Sequence, residues 1–539
     1  MQNRRDFFRT SFSALLASQF SFPDFFTEQH EITGKIVGVS KSFGHLLRSG
    51  IQNQTPTKFL KTQVAIIGSG ISGLSAGWKF QKSGFNDFHI FELENHFGGN
   101  SASGKNEISE FPWGAHYLPL PTKESKAVVE ILEDFGAIES YTVEGIPIYK
   151  KEFLTRNPTE RLWINGKWQE GIFPFERASK EDLKQYLKFQ KIIKKFQDFR
   201  DEEGKKAFAI PLRFSSQNPE ILKLDKISMA EFLASKNLNS ERLIWFVNYG
   251  MRDDYGGTIE NVSAWAGIHY YASRTGRSGY SDEGSQLTWA EGNGWFVKNF
   301  AERLSPNLSK NELLFQIEEK ESKVFLKFLN TQTKQVTQVE SDFVVLALPK
   351  FVVKYLLPEK PEEVNSFDYS SWLVANLSVK EIPQNSGVKP SWDNVIFQSD
   401  SLGYVIATHQ TKPNKAISSV LTYYLPFLKG KSERIKIEKN SWEDWKEIIL
   451  KDLQKAHPEI EKLVTKIDVM IWGHGMIRPK VDFVWNPKIQ KLAEPKGKIY
   501  FAHSDLSGIS IFEEANYWGV LNAQKILEKL KIPFEESLK

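Results

Sequence analysis

The sequence predicts an α/β fold: a Rossmann-type dinucleotide-binding domain with a three-stranded β-meander, joined to a discontinuous α+β second domain. Three observations carry this expectation. The apolar run V-A-I-I enters a glycine-rich turn at Gly68, Gly70 and Gly73. A second apolar run, Phe88 to Phe91, ends in the acidic residue Glu92, about 24 positions after Gly68, the offset at which a βαβ unit brings an acid to a bound ribose. Far downstream, Leu313 to Leu348 contains short alternating runs before S-D-F-V-V-L-A-L-P, a pattern of antiparallel strands.

Each element has its own physical reason. Val64 to Ile67 reads as a buried parallel strand, and Ile71 to Ser83 as the helix that packs back on it. Gly68 permits the tight turn. Gly70, with Ser72 beside it, lets backbone N–H groups approach a pyrophosphate at the positive helix end, and Gly73 allows close packing of helix on strand. The following L-E-N-H-F-G-G-N puts Gly98 and Gly99 where the chain must turn beneath the cofactor phosphates. Between Lys123 and Lys206, A-V-V-E-I-L-E-D-F and L-K-Q-Y-L-K-F-Q-K-I-I-K-K-F have helical spacing. The second is apolar on one face and lysine-rich on the other, which suits a solvated amphipathic helix or a membrane-surface helix. The meander is L-L-F-Q-I-E, K-V-F-L-K-F and Q-V-T-Q-V. Near the C-terminus, Lys498 to Ala502 reads as a strand, followed by Asp505 and then by Glu513, Glu514, Ala515 and Gly519 leading into a helix through Leu530.

Taken together, these three segments resemble the cofactor-binding regions of the flavin amine oxidase superfamily, which includes monoamine and polyamine oxidases, protoporphyrinogen oxidase and phytoene desaturases. The resemblance implies FAD as cofactor. It implies phosphate contacts at Gly68, Gly70, Ser72, Gly73, Gly98 and Gly99, ribose binding at Glu92, an adenine contact near Leu314 and ribitol binding at Asp505. Ala515 would lie at the helix N-terminus facing the phosphates and ring, and Gly114 and Ala115 would carry the backbone past the flavin. Departures are also evident. Val374 stands where amine oxidases carry a lysine, Ile511 and Phe512 occupy the approximate place of one paired aromatic, Asn100 replaces an arginine and His503 a glycine.

A chain of 539 residues exceeds one hydrophobic core. The expected division is a leader at 1–22, an arm outside the fold at 23–60, an FAD-binding domain from 61–120, 285–350 and 490–530, and a substrate domain from 121–284 and 351–489. Net charge is +4 with scattered basic residues, so nothing points to nucleic acid. After the N-terminus no run of 18 apolar residues occurs, so no integral membrane span is expected. Cysteine is absent, which excludes disulfides, thiol catalysis, cysteine-held metal and a cysteinyl-flavin bond. The histidines have no metal-ligand spacing, so no metal is expected.

Asn3-Arg4-Arg5-Asp6-Phe7-Phe8-Arg9, with the weakly apolar Thr10 to Phe22, looks like a twin-arginine export signal; the other reading is a chance arginine pair in a disordered leader. Export in the folded, cofactor-loaded state through the twin-arginine machinery gives a periplasmic location, with a cytoplasmic one as the alternative.

The candidate catalytic residues are His116, Tyr117, Trp265, His269, Trp472 and His474. His116 and Tyr117 follow the segment that passes the flavin. Trp265 and His269 lie in S-A-W-A-G-I-H-Y-Y-A-S-R beyond R-D-D-Y-G-G, where charged, aromatic and small residues mix as in a pocket, or as in a structural core with Arg252 and Asp253 as a buried ion pair. Trp472 and His474 belong to W-G-H-G. The expected function is FAD-dependent removal of two electrons from a small-molecule substrate, an amine by preference, with oxygen or another acceptor taking the electrons. The alternatives are a C–C desaturase or isomerase resembling phytoene desaturase, a non-redox flavoenzyme resembling UDP-galactopyranose mutase, and an exported flavin-containing binding protein.

Overall fold

The apolar run at Val64 is the inner half of a strand, Lys58–Ile67, whose last four residues are buried while its first half is largely exposed. The computed structural model describes residues 31–38, 41–51, 54–279, 285–359, 361–410 and 418–538. The leader at 1–22 lies outside the described residues.

Two sheets organise the molecule. The first has the order Leu308–Ser309, Phe88–Phe91, Lys58–Ile67, Val336–Leu346, Lys323–Asn330, Glu312–Lys320, with Ile499–Phe501 added to Val336–Leu346. Its Rossmann half is parallel and its meander antiparallel. Q-V-T-Q-V and the apolar run after it are one strand of 11 residues rather than two. That strand pairs antiparallel with Lys323–Asn330 through its first half and parallel with Lys58–Ile67 along most of its length, so unbroken alternation serves both neighbours. Helix Ile71–Lys82 packs beside this sheet, and helix Phe512–Leu530 packs on it.

The second sheet has eight strands, in the order Thr33–Gly38, Val464–Ile477, Tyr369–Val379, Ser419–Phe427, Tyr404–Ile406, Asp393–Ile396, Glu160–Ile164, Lys167–Glu170. Helices Lys180–Asp198, Met229–Ser235, Glu241–Tyr255 and Ala264–Ala272 share a separate apolar core. On Lys180–Asp198 a narrow stripe, Gln185, Phe189 and Ile193, is buried, and a Ser179–Asp182 capping box starts the helix.

The expected arm is a correction. Thr33–Gly38 is a strand paired in parallel with Val464–Ile477, and Lys41–Ser49 is a helix packed near the meander. The strand satisfies the edge N–H and C=O groups of its neighbour, and the helix packs the partly buried Leu46 and Leu47 on the meander, so neither lies outside the fold. Among the described residues no helix is long and apolar enough to cross a membrane.

Candidate active site

The glycine turn forms one end of a cavity of about 590 Å³. Gly68 has φ +98°, and a Cβ there would meet the Ala347 carbonyl oxygen at 2.6 Å. At Gly73 a Cβ would lie 2.0 Å from the Gly68 oxygen, so helix and turn touch backbone to backbone. Gly70 is different: nothing stands within 4 Å of its Cβ position, and no side chain caps the helix it starts. The first N–H groups of that helix are therefore free to meet an anion. Gly98 and Gly99 carry positive φ, and Gly98 bridges to Gly70. Glu92 accepts hydrogen bonds from the backbone N–H of Ser69 at 2.8 Å, its hydroxyl at 2.6 Å and the Glu94 N–H at 2.9 Å, which orients its carboxylate in the cavity wall.

Asp505 is buried and lines the same cavity. It accepts from the Lys350 N–H at 2.9 Å and the Tyr369 hydroxyl at 2.6 Å, and pairs with His503 at 3.1 Å. Burial by itself would raise its carboxyl, but His503, Tyr369 and the Lys350 N–H hold it below the usual carboxylate range.

A second cavity, of about 160 Å³, shares Asn100, Ala115, Trp472, Gly475 and Phe512 with the first. Its walls are aromatic: His116, Tyr117, Tyr249, Trp372, Tyr424 and Trp472. The segment between the cavities is pinned by its backbone. Tyr424 donates to the Gly114 carbonyl at 2.9 Å, Trp472 Nε1 to the Trp113 carbonyl at 2.7 Å, and the Ala115 N–H to the Asn100 carbonyl at 2.8 Å. Burial lowers the His116 pKa to about 4, so its imidazole is neutral at pH 7.

Acidic groups crowd this second cavity. Asp253, Asp254, Asp393 and Glu513 line it, and Arg274 is committed to Asp254 at 2.5 Å. Asp393 and Glu160 are register partners on adjacent parallel strands. Burial, then Asp254, raise Asp253 to about 7; burial raises Glu160 to about 7; burial, then Glu160 and Asp253, push Asp393 well above the carboxylate range. Among the described residues no ion pair neutralises Asp253, Asp393 or Glu160, and no group of carboxylates and histidines is arranged to hold a metal ion. The arrangement suits an extended organic cation between aromatic walls.

The family described as NAD(P)-binding Rossmann-like domain matches residues 66–135. No curated protein is matched by the sequence. Among solved structures, putrescine oxidase bound to putrescine superposes with a TM-score of 0.62 at 16% identity, covering 87% of this chain and 100% of that one. Cyclohexylamine oxidase from Brevibacterium oxydans gives 0.61 at 15% identity, with 87% and 99% covered. The chain has the fold of these two amine oxidases. A fatty acid isomerase from P. acnes that produces CLA also has it, at a TM-score of 0.59 and 17% identity, with 86% and 98% covered.

Within this fold, Gly68, Gly70, Ser72, Glu92, Gly98, Gly99, Ala115, Leu314, Asp505 and Ala515 line the larger cavity; Gly73 supports it from behind, and Gly114 lines the smaller one. His116 and Tyr117 face the smaller cavity, and Trp472 reaches both. His474 lies elsewhere than expected, in the larger cavity, stacked on Phe351 at 4.0 Å with Arg434 on its Nε2. Trp265 and His269 line neither cavity. Both are packed in the helical core, where His269 Nε2 bonds the Ala209 carbonyl at 3.0 Å and Trp265 stacks on the same ring at 5.1 Å. The mixed composition of their helix reflects packing against aromatics on three neighbours. Arg252 and Asp253 are not an ion pair: Arg252 donates to the Ser399, Asp400 and Ser401 carbonyls, leaving Asp253 at the cavity. Asp393 and Tyr249 were not legible as site residues, because each sits in an ordinary strand or helix pattern and only the tertiary fold brings them to one cavity.

Proposed function

We propose that the protein is an FAD-dependent oxidoreductase that takes two electrons from a small cationic amine. The observation that carries this reading is the pair of carboxyl groups that no ion pair neutralises, Asp253 and Asp393, in an aromatic cavity that shares a wall with a dinucleotide cavity, with Glu160 beside Asp393 on the next strand. FAD fits the larger cavity: there is open space at Gly70, an uncapped helix N-terminus for the diphosphate and an oriented acid at Glu92. The segment Gly114–Ala115 carries no bulky side chain at the junction where a flat ring would lie.

Bound there, the flavin would supply a two-electron acceptor for hydride from the carbon that bears nitrogen. The protein's own groups do the rest. Asp253 attracts the ammonium group and Asp393 offers it a hydrogen-bond acceptor, while Tyr117, Tyr249 and Tyr424 wall the hydrocarbon part. His116, neutral at pH 7, accepts a hydrogen bond from the substrate nitrogen, while Asp253, raised to about 7, is the stronger base for the ammonium proton, whose loss frees the nitrogen lone pair. Val374, where amine oxidases carry a lysine, supplies only an apolar wall. Oxygen or another acceptor takes the electrons afterwards. A desaturase or isomerase acting on an anionic lipid has less support, because Arg274 is occupied by Asp254 and the remaining charges repel carboxylates. The Arg4-Arg5 leader supports export to the periplasm as a folded flavoprotein.

The test is an absorption spectrum of the purified protein followed by anaerobic titration with mono- and diamines, fatty acids and a sugar nucleotide. Flavin absorbance bleached by an amine supports the reading. A colourless protein that FAD cannot reconstitute, or a flavin bleached only by a non-amine, overturns it.

A further inference from the structure

The helix Lys41–Ser49, which sequence patterning left as an arm, has a face turned into the dinucleotide cavity. Lys41, Gly44, His45 and Arg48 all line it, and their spacing of three and four residues puts them on one side of a helix. Leu46 and Leu47 pack with Leu313, Leu329 and Val336 of the meander. Gly44 has nothing within 4 Å of its Cβ position, so this face approaches the cavity without filling it.

The charges of the cavity make that face necessary. Glu92, Glu94, Glu312, Glu438 and Asp505 line it, against three permanent cations, Lys41, Arg48 and Arg434. Arg434 is fully engaged, donating to Ser371 Oγ at 3.1 Å and the Tyr369 carbonyl at 3.0 Å and contacting His474 Nε2 at 2.6 Å. Asn100, at the place where the resemblance leads one to expect arginine, is uncharged and donates to the Gly475 carbonyl at 2.6 Å. Two of the three cations therefore come from one N-terminal helix. Lys41 meets Glu438 only at 3.6 Å, with both side chains substantially exposed, and such a pair yields easily to a stronger anion. Burial, then Arg434 and Arg48, depress His474, so Arg48 lies on the side of the cavity that holds His474 and Asp505.

The strand before the helix fixes it there. Thr33–Gly38 pairs residue by residue with Lys466 to Ile471, and a Cβ on Gly34 would lie 1.8 Å from the Ile467 carbonyl oxygen. Ile36, Val37 and Gly38 also line the cavity. Strand and helix thus tie the eight-stranded sheet to the meander across the cofactor cavity.

We propose that the strand Thr33–Gly38 and the helix Lys41–Ser49 form a cofactor strap, in which Lys41 and Arg48 bring positive charge to the FAD diphosphate and the paired strand holds the helix over it. This rests on the FAD reading above. It assigns the N-terminal segment a binding role and makes the cofactor slow to leave without a covalent bond.

The experiment measures FAD release from the full-length protein by recovery of flavin fluorescence after dilution, and FAD affinity by titration of the apoprotein. The double variant Lys41→Ala/Arg48→Ala is expected to release FAD at least 10-fold faster, with reduced salt dependence of affinity and an unchanged apoprotein melting curve. The control Lys180→Ala/Lys184→Ala, on an exposed helix far along the chain, is expected to match wild type. Gly34→Val, which must unpair the strand, is expected to accelerate release as well; where it prevents folding, the double variant decides. Wild-type release rates in a folded double variant overturn the strap while leaving the FAD reading intact. A wild-type protein that binds no FAD overturns both.

Discussion

A Cβ on Gly519 would stand 2.1 Å from the carbonyl oxygen of Ser72. Helix Phe512–Leu530 therefore lies backbone to backbone on helix Ile71–Lys82, and the two chain segments that build the dinucleotide cavity, more than four hundred residues apart in sequence, are locked at their closest point. Neither backbone can yield cheaply. Gly519→Ala is expected to destabilise the apoprotein by about 1–3 kcal/mol and to weaken FAD binding with it, read by urea unfolding followed by flavin titration. An unchanged unfolding midpoint would mean that the helices can separate.

Gly70→Asp separates binding from folding. Its backbone is at φ −64° with open space for a side chain, so the fold is expected to survive. A carboxylate facing the cofactor phosphates at a helix N-terminus is expected to cost at least about 100-fold in FAD affinity, near 3 kcal/mol, as for like charges forced together without solvent. Flavin absorbance after reconstitution checks this. Full occupancy in the variant would move the diphosphate elsewhere.

The acidic cluster predicts how substrates are sorted. Asp253→Asn is expected to raise KM for a diamine by about 10- to 100-fold with little change in kcat, because it removes attraction present in both ground and transition states, and Asp393→Asn, at a carboxyl that burial and its acidic neighbours push toward the protonated form, is expected to raise it less. A hydrophobic monoamine is expected to lose less. Steady-state kinetics with one substrate of each kind suffices, and equal losses for both would argue that the residues act only on the fold.

The pH dependence follows in sign. Burial raises Asp253 and Glu160 to about 7, so each is increasingly ionised from pH 6 to 8. Affinity for a cation is expected to rise over that interval. Stability of the free protein runs the other way: the folded state keeps protons that the unfolded carboxylates, with pKa values near 4, have already lost, so stability falls as pH rises from about 4 through 7. A diamine should therefore raise the melting temperature more at pH 8 than at pH 6. The opposite order would exclude these carboxylates from binding.

His116→Phe preserves an aromatic ring against Tyr424, whose centroid lies 4.6 Å away, and removes a hydrogen-bond acceptor. The expected loss in kcat/KM for a protonated amine at pH 7 is about 10-fold, the worth of one hydrogen bond, shrinking as pH approaches the pKa of the substrate ammonium. A pH-independent loss would assign His116 to packing.

What the sequence determined by itself was the dinucleotide half. There the chemistry is local: Gly68, Gly70 and Gly73 act through φ values and backbone clearances within one strand–turn–helix, and the motifs around Glu92, Leu314 and Asp505 each carry their own pattern. Only the tertiary structure decided the rest. Asp393 and Glu160 are ordinary strand residues more than two hundred positions apart until two parallel strands put them side by side, and Trp265 and His269 have the composition of a pocket but are enclosed by helices that bury them. The N-terminal residues look like an arm because a short edge strand and a nine-residue helix have little propensity of their own; their order comes from pairing with Val464–Ile477 and from packing on the meander, contacts made at long range that no local pattern records.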